Sequence, residues 1–264
     1  MRRLISSVSC VKGCVVHGPW PESIIARGHV RVLINPANDS LTGPQRAVFP
    51  RGGPVLPKGV KTASDIKSQD ELLYPGQAVD GLVHLQGGAP LRAALHEAAP
   101  IIETRDDGDH LRCRPGDAVL TSGVDGAATS GHSGLPFDAI VHTVPPFWPR
   151  AGTADDASNA HAAWAATLRQ CYDASFLAAI QFAEQFDASA RLAIATPVLG
   201  AGARGAPFAS AAQVLGEAVA AHLSHREDAS DESTGAQLRI VVHAGTMAAE
   251  MAAIETALEA SSRP

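Results

Sequence analysis

Short β-branched runs alternate with longer amphipathic segments through the second half of this chain, and that alternation most narrows the fold. Residues 138–144 (DAIVHTV), 191–195 (RLAIA) and 238–243 (LRIVVH) read as strands, as do residues 117–120. Between and after them lie helical segments at 159–186, 207–223 and 247–260; in the first, Trp164, Leu168, Cys171, Ser175 and Ala178 recur every three or four residues. Strands and helices in succession join as crossovers, which makes neighbouring strands parallel. The fold class expected from this pattern is α/β, layered around a substantially parallel sheet.

The first half is less regular. Residues 5–16 alternate like a first strand, and residues 29–34 (HVRVLI) form a second that runs into the turn Asn35-Pro36-Ala37-Asn38. Residues 43–77 hold five Pro and five Gly with no sustained period, the composition of a long loop or insertion. Periodicity returns at Val79 and continues across Gly87-Gly88 into a helix at 90–99, with Pro90 suited to its first turn. The acidic stretch near 225–236 reads as a solvated connector.

Composition bounds the class. At 264 residues, 45% of them hydrophobic, the chain has material for one large or two small domains, and the composition excludes collagen-like, coiled-coil and wholly disordered chains. A formal charge of −6 argues against strong nucleic-acid binding. The four cysteines, Cys10, Cys14, Cys113 and Cys171, fit neither a disulfide framework nor zinc knuckles and read as reduced thiols. No apolar run approaches the roughly 18–20 residues of a membrane span. The start, Met1-Arg2-Arg3 with no acidic residue before Glu22, leaves mitochondrial import open beside a cytoplasmic or nuclear location.

Two segments carry chemistry. Gly200-Ala201-Gly202-Ala203-Arg204-Gly205 lies between a strand and a helix, where turn amides and a helix N-terminus can converge on an anion such as a pyrophosphate. Its G-x-G-x-x-G spacing admits a nicotinamide-linked oxidoreductase, although no acidic strand end follows about 20 residues on. A plain tight turn is the blander reading. The second segment pairs Asn35-Pro36-Ala37-Asn38 with Val79-Asp80-Gly81-Leu82-Val83-His84. An Asn at a strand's carboxyl end lies where open α/β sheets bind ligands, and Asp80 and His84 are one helical turn apart on one face. Against this, Asp80 could merely cap the helix, and His84 could be a packed, satisfied histidine.

In order along the chain, seven segments resemble the macrodomain family, specifically the MacroD-type ADP-ribosyl hydrolases. They are Val11-Lys12-Gly13 in the first strand, Ile34-Asn35-Pro36-Ala37-Asn38-Asp39-Ser40-Leu41, Val79-Asp80-Gly81-Leu82-Val83-His84, Pro115-Gly116-Asp117-Ala118, Ile140-Val141-His142-Thr143-Val144 with Trp148, Leu168-Arg169-Gln170-Cys171-Tyr172, and Pro197-Val198-Leu199-Gly200-Ala201-Gly202. The resemblance implies a single three-layer α/β/α macrodomain over residues 1–264, with a mixed, largely parallel sheet, the insertion at 43–77 and the connector at 225–236. It implies that Asn38 orients the distal ribose of ADP-ribose, Asp80 activates or positions the attacking water, and His84 supports that end of the site. Gly200, Ala201, Gly202, Ala203 and Arg204 would bind the pyrophosphate, with Gly76 and Val79 closing over it.

The implied reaction is hydrolysis of the ester joining ADP-ribose to a protein Asp or Glu, with O-acetyl-ADP-ribose as a related substrate, no cofactor and no metal. Its partners are ADP-ribose and mono-ADP-ribosylated proteins, and a monomer is expected. Three departures touch ligand contacts: Cys14 stands where the family places an adenine-reading Asp, Arg204 where it places an aromatic, and Gly76-Gln77-Ala78 replaces a glycine string. These departures motivate a second reading, a non-catalytic ADP-ribose reader.

Overall fold

The computed structural model describes residues 4–17, 20–25, 27–44, 78–106, 109–122, 135–149, 154–186, 191–222, 237–244 and 248–261. Most of the 43–77 insertion, including Gly76, and the 225–236 connector lie outside these residues, as does the Met1-Arg2-Arg3 start. In chain order the elements are β1 (Leu4–Lys12), α1 (Glu22–Ile25), β2 (Val30–Pro36), α2 (Val79–Ala98), β3 (Glu103–Thr104), β4 (His110–Leu111), β5 (Ala118–Ser122), β6 (Ala139–Thr143), α3 (Ala154–Phe186), β7 (Leu192–Pro197), α4 (Phe208–His222), β8 (Gln237–Ala244) and α5 (Ala248–Ser261).

Six strands form one sheet in the order β1-β8-β7-β2-β6-β5. All neighbours are parallel except β5, which runs antiparallel to β6 at the edge. This is the mixed, largely parallel sheet the resemblance implied. The strand pattern explains its burial: β6 is buried at all five positions and β2 at its four middle ones, as interior strands covered on both faces must be.

Alternation along each strand divides the core in two. Val32 and Ile34 of β2, Ala139 and Val141 of β6 and Ile194 of β7 face the layer built from α3, α4 and α5, where Leu168, Tyr172, Phe176 and Leu215 are fully buried. Leu33, Ile140, Ala193, Ala195 and Val241 face the opposite layer, which contains Val83, Leu91 and Leu95 of α2 and Ile24 of α1. Side chains two residues on from Leu33 and Ile140 project towards that same layer, and at the carboxyl ends of β2 and β6 these are Asn35 and His142.

Helix α2 is two helical arms. Gly88 interrupts it with φ 54° and ψ −148°, a conformation open to glycine, and Pro90 opens the second arm. The expected break at Gly87-Gly88 is therefore a kink within one continuous element. The sequence reading ended β2 at residue 34 and placed Asn35 and Pro36 in a turn. The strand instead includes both, because they pair with His142 and Thr143 of β6. Helix α1 and the β3–β4 hairpin were not foreseen; four- and two-residue elements are too short to show a period.

Helices α4 and α5 approach each other closely at Gly216. A Cβ there would lie 2.6 Å from the Ala257 carbonyl oxygen and 2.9 Å from its carbon, and neither backbone atom can swing away. Gly216→Ala is expected to lower unfolding stability in urea by about 1–3 kcal/mol at unchanged m-value, as overpacking does. The loss should appear despite the roughly 1 kcal/mol helix-propensity gain of alanine.

Candidate functional site

The site is assembled at the carboxyl ends of β2, β6 and β7, where open α/β sheets place their ligands. Asp80 enters it from the first turn of α2. The helix N-cap is Ala78, which makes no side-chain cap bond, so Asp80 does not serve as the cap. Its carboxylate is 7% exposed, and Oδ1 accepts from Asn35 Nδ2 at 2.8 Å. His84, one turn along α2, brings Nε2 to 3.6 Å from the same oxygen. At 1% exposure, neither ring nitrogen of His84 has a hydrogen-bond partner, so it is packed but not satisfied.

Burial displaces both groups. Desolvation pushes the Asp80 pKa above the ordinary carboxylate range, against the pull of His84, the Asn35 hydrogen bond and the Arg204 charge. Desolvation lowers the His84 pKa, opposed by Asp80, with Arg92 reinforcing the downward shift. Burial thus disfavours the charged form of both groups.

Asn38 is bonded within its own loop. Its Nδ2 donates to the Gly43 carbonyl at 2.7 Å and to Thr42 Oγ1 at 3.3 Å, while its Oδ1 accepts from the Thr42 amide at 3.0 Å. Those bonds close a loop in which Leu41, fully buried, has φ 56°. A non-glycine residue in the left-handed region persists only where its surroundings over-determine it, and Asn38 is one of the restraints. Asp39 supplies others: its carboxylate receives Arg105 at 2.5 Å, and its carbonyl accepts from the amides of Arg112 and Cys113 at 2.8 and 3.0 Å. The side chain that bonds Asp80 is Asn35, because Asn35 still lies in the strand and points at α2.

The glycine loop follows β7. Gly200 takes φ 82°, which a side chain would strain. The preceding Leu199 amide donates to the buried Tyr172 hydroxyl of α3 at 2.8 Å, which pins the turn to the core. Within the turn, Ala206 N donates to Gly200 O at 3.0 Å and Gly205 N to Gly202 O at 2.9 Å. Among the described residues, none accepts from the amides of Gly202, Ala203 or Arg204. Ala201 is half-buried, and Gly202 and Ala203 are exposed.

Arg204 folds back across the site. Its Nη2 donates to the Ala37 carbonyl at 3.1 Å, and its guanidinium carbon lies 4.2 Å from the centroid of the Phe147 ring. Burial lowers its pKa, while Asp39 and Asp80 raise it. The structure thus brings together Asp80, His84, Arg204 and the 200–204 loop, with Val79 half-buried at the start of α2. Asn35 and His142 were missed as site residues. The signal available for Asn35 was the strand period itself, which places it on the face of Leu33.

The sequence model of the macro domain matches residues 66–215, more than half of the chain, and the chain belongs to the macrodomain family. That span includes α2, β6 and the 200–204 loop, while β1 and β2 precede it. Over 89 residues the chain is 32% identical to O-acetyl-ADP-ribose deacetylase 1 of Pantoea vagans. That stretch is 34% of this chain and spans only 42% of the deacetylase. The fold resembles the macro domain of ganglioside induced differentiation associated protein 2, with TM-score 0.54 and 18% identity over 97% of this chain and 84% of that one. It also resembles the Trypanosoma brucei macrodomain solved in complex with ADP-ribose, with TM-score 0.50 and 19% identity over 94% of this chain and 68% of that one.

The raised Asp80 pKa has a stability consequence whose sign is fixed. The folded chain binds this proton more tightly than the unfolded chain, so the contribution is complete below about pH 4, the ordinary Asp value, and is lost as pH rises through the shifted value. Asp80→Asn removes the ionisation while still presenting an oxygen to Asn35. At pH 7 it is expected to be more stable than the wild type by about 1–3 kcal/mol, the scale of an incompletely compensated buried polar group. The gap should close towards pH 4, as read by urea unfolding across that range. An equal or less stable Asp80→Asn protein at pH 7 counts against a strained carboxylate.

Proposed function

We propose that this macrodomain binds ADP-ribose and hydrolyses the ester linking it to protein Asp or Glu side chains, with O-acetyl-ADP-ribose as a second substrate. The observation that carries this reading is the buried Asp80 carboxylate, held by Asn35 with its titration shifted upwards, at the same strand ends as a glycine loop whose 202–204 amides no described residue accepts from. A general base works best when its pKa lies near the operating pH, and burial moves Asp80 in that direction.

In this reading the amides of 202–204 and the start of α4 receive the diphosphate. Arg204 closes the far side of the loop, with Val79 bordering the mouth. Asn38 keeps its loop in shape beneath the distal ribose, and His84 supports Asp80. Asp80 takes a proton from water as the water oxygen bonds to the ester. The bond from the carbonyl carbon to the ribose oxygen breaks, Asp80 returns its proton to that oxygen, and ADP-ribose leaves with a hydroxyl while the protein side chain regains its carboxyl. Support from relatives is consistent with both substrates: one similar protein is named an O-acetyl-ADP-ribose deacetylase, and one similar fold was solved with ADP-ribose.

The test uses a protein carrying mono-ADP-ribose on glutamate. Wild-type protein should release ADP-ribose, and Asp80→Ala should slow release by about 10²-fold or more, the usual scale for losing a general base. Calorimetry should find ADP-ribose still bound by Asp80→Ala. Binding without wild-type turnover would make the protein a reader, a reading that the engagement of Asn38 within its own loop favours. Absence of ADP-ribose binding would sink both.

A further inference from the structure

Behind Asp80 lies a row of buried polar side chains that the reaction outlined above does not use. Asn35 and His142 are register partners on β2 and β6, and Asn35 Nδ2 is 3.1 Å from His142 Nδ1. His142 Nε2 is in turn 3.1 Å from Thr121 Oγ1 on β5, whose hydroxyl donates to the Ile140 carbonyl at 3.5 Å. Asn35 and His142 are fully buried and Thr121 is 3% exposed.

Donor arithmetic fixes the direction of this row. Asn35 Nδ2 carries two hydrogens and no lone pair for accepting, and one hydrogen goes to Asp80 Oδ1. Its other hydrogen meets His142 Nδ1, which must then be the acceptor, and a neutral imidazole with Nδ1 accepting carries its proton on Nε2. That proton points at Thr121. Turning the Asn35 amide over would set its Oδ1 against a lone pair of His142 on one side and the Asp80 carboxylate on the other. The His142 side of that clash persists when Asp80 is protonated as long as the imidazole keeps its proton on Nε2, and Thr121 holds it there, because with the proton on Nδ1 the Thr121 hydroxyl would have to leave the Ile140 carbonyl to donate to Nε2.

We propose that His142 is a positioning residue for Asp80: by accepting from Asn35 it locks the amide with its donor towards Oδ1 and leaves Oδ2 as the oxygen that receives a proton. Without this lock, a protonated Asp80 could turn the amide and donate to Asn35 Oδ1, which favours the neutral acid. Loss of the His142 acceptor therefore raises the pH at which Asp80 ionises. Other charged groups around Asp80 are His84 on its own helix and Arg204 from the β7–α4 loop, with Arg92 acting on His84 and Asp39 on Arg204. None of these hydrogen-bonds the Asn35 amide nitrogen, so substitution at His142 isolates the lock. The catalytic consequence rests on the proposed hydrolase activity, whereas the amide orientation and the Asp80 titration do not.

The test titrates the Asp80 carboxyl by ¹³C NMR, assigned by its absence in Asp80→Asn, in the full-length wild type and in His142→Phe, His142→Gln, Asn35→Leu and the double variant Asn35→Leu/His142→Phe. His142→Phe should move the midpoint up by about 0.5 pH units or more, an approximately threefold change in the proton-binding constant. His142→Gln, whose amide can accept from Asn35 and donate to Thr121, should restore it. In the double variant the midpoint should move no further than in Asn35→Leu alone, because His142 acts through Asn35.

With the ester substrate, the acid limb of the kcat profile should move up in parallel while ADP-ribose Kd stays unchanged. His142→Leu reads the same quantities if the phenyl ring prevents folding. An unmoved midpoint in His142→Phe and His142→Leu overturns the proposal, as does a full His142 effect in the Asn35→Leu background. Absence of wild-type turnover beside the expected NMR shifts would instead remove the hydrolase reading and leave the lock standing.

Discussion

The hydrogen bond from Asn35 to Asp80 ties the site to the sheet, and the rest of the site is arranged around what that bond requires. Asn35 is the sixth residue of β2, a strand with neighbours on both sides and helices on both faces. Its side chain cannot reach water, and neither can the carboxylate it meets. An amide and a carboxylate buried without each other would each lose a few kcal/mol of hydration, so the two positions are interdependent. The first arm of α2 must therefore arrive at one angle over β2, and the kink at Gly88 lets the second arm pack Leu91 and Leu95 without dragging the first away.

Several features of the site oppose stability. Asp80 is held where its ionised form is disfavoured, Leu41 occupies the left-handed region, and His84 and the Asn35 oxygen are buried without hydrogen-bond partners. The two apolar layers offset this locally: Val83 of α2 is fully buried next to His84, and Leu41 itself belongs to the α2-side core. Tyr172 links the other layer to the glycine loop through one hydrogen bond to Leu199. A left-handed residue beside a buried, destabilised carboxylate is the kind of feature expected where function rather than stability sets local geometry.

How much of this was legible in the sequence depended on the length of the signal. The long periodic segments gave α3, α4, α5 and the interior strands to within a few residues, since burying one face of a helix or both faces of a strand imposes a pattern over many positions. Asp80 and His84 were legible as a pair because i,i+4 spacing on a helix fixes a shared face. Asn35 was misread as a turn residue because Pro36 follows it; yet Pro36 sits at the end of β2, where the ladder tolerates a missing donor. The clasp formed by Asn38, and the use of Asp39 to anchor the loop to Arg105 and the β3–β4 hairpin, depend on contacts some 66 residues apart in sequence. No local pattern encodes them.

The charges at the site also form a series that no single residue discloses. Arg105 pairs with Asp39, Asp39 acts on Arg204, Arg204 acts on Asp80, and Asp80 acts on His84. Each charge in the series has an opposite neighbour, which is why so many ionisable groups can be half-buried or buried together. Arg204 is further committed to the Ala37 carbonyl and the Phe147 ring. Its guanidinium is thus anchored by a carbonyl and a ring face, neither of which carries a full opposite charge, and burial still disfavours its charged form. In the proposed function, an anion entering the 200–204 loop would meet that charge together with the amides of 202–204, which no described residue accepts from. The same contacts tie the loop to the Asn38 segment, so a substitution that spared the charge but not the planar contacts, such as lysine, would not replace the arginine.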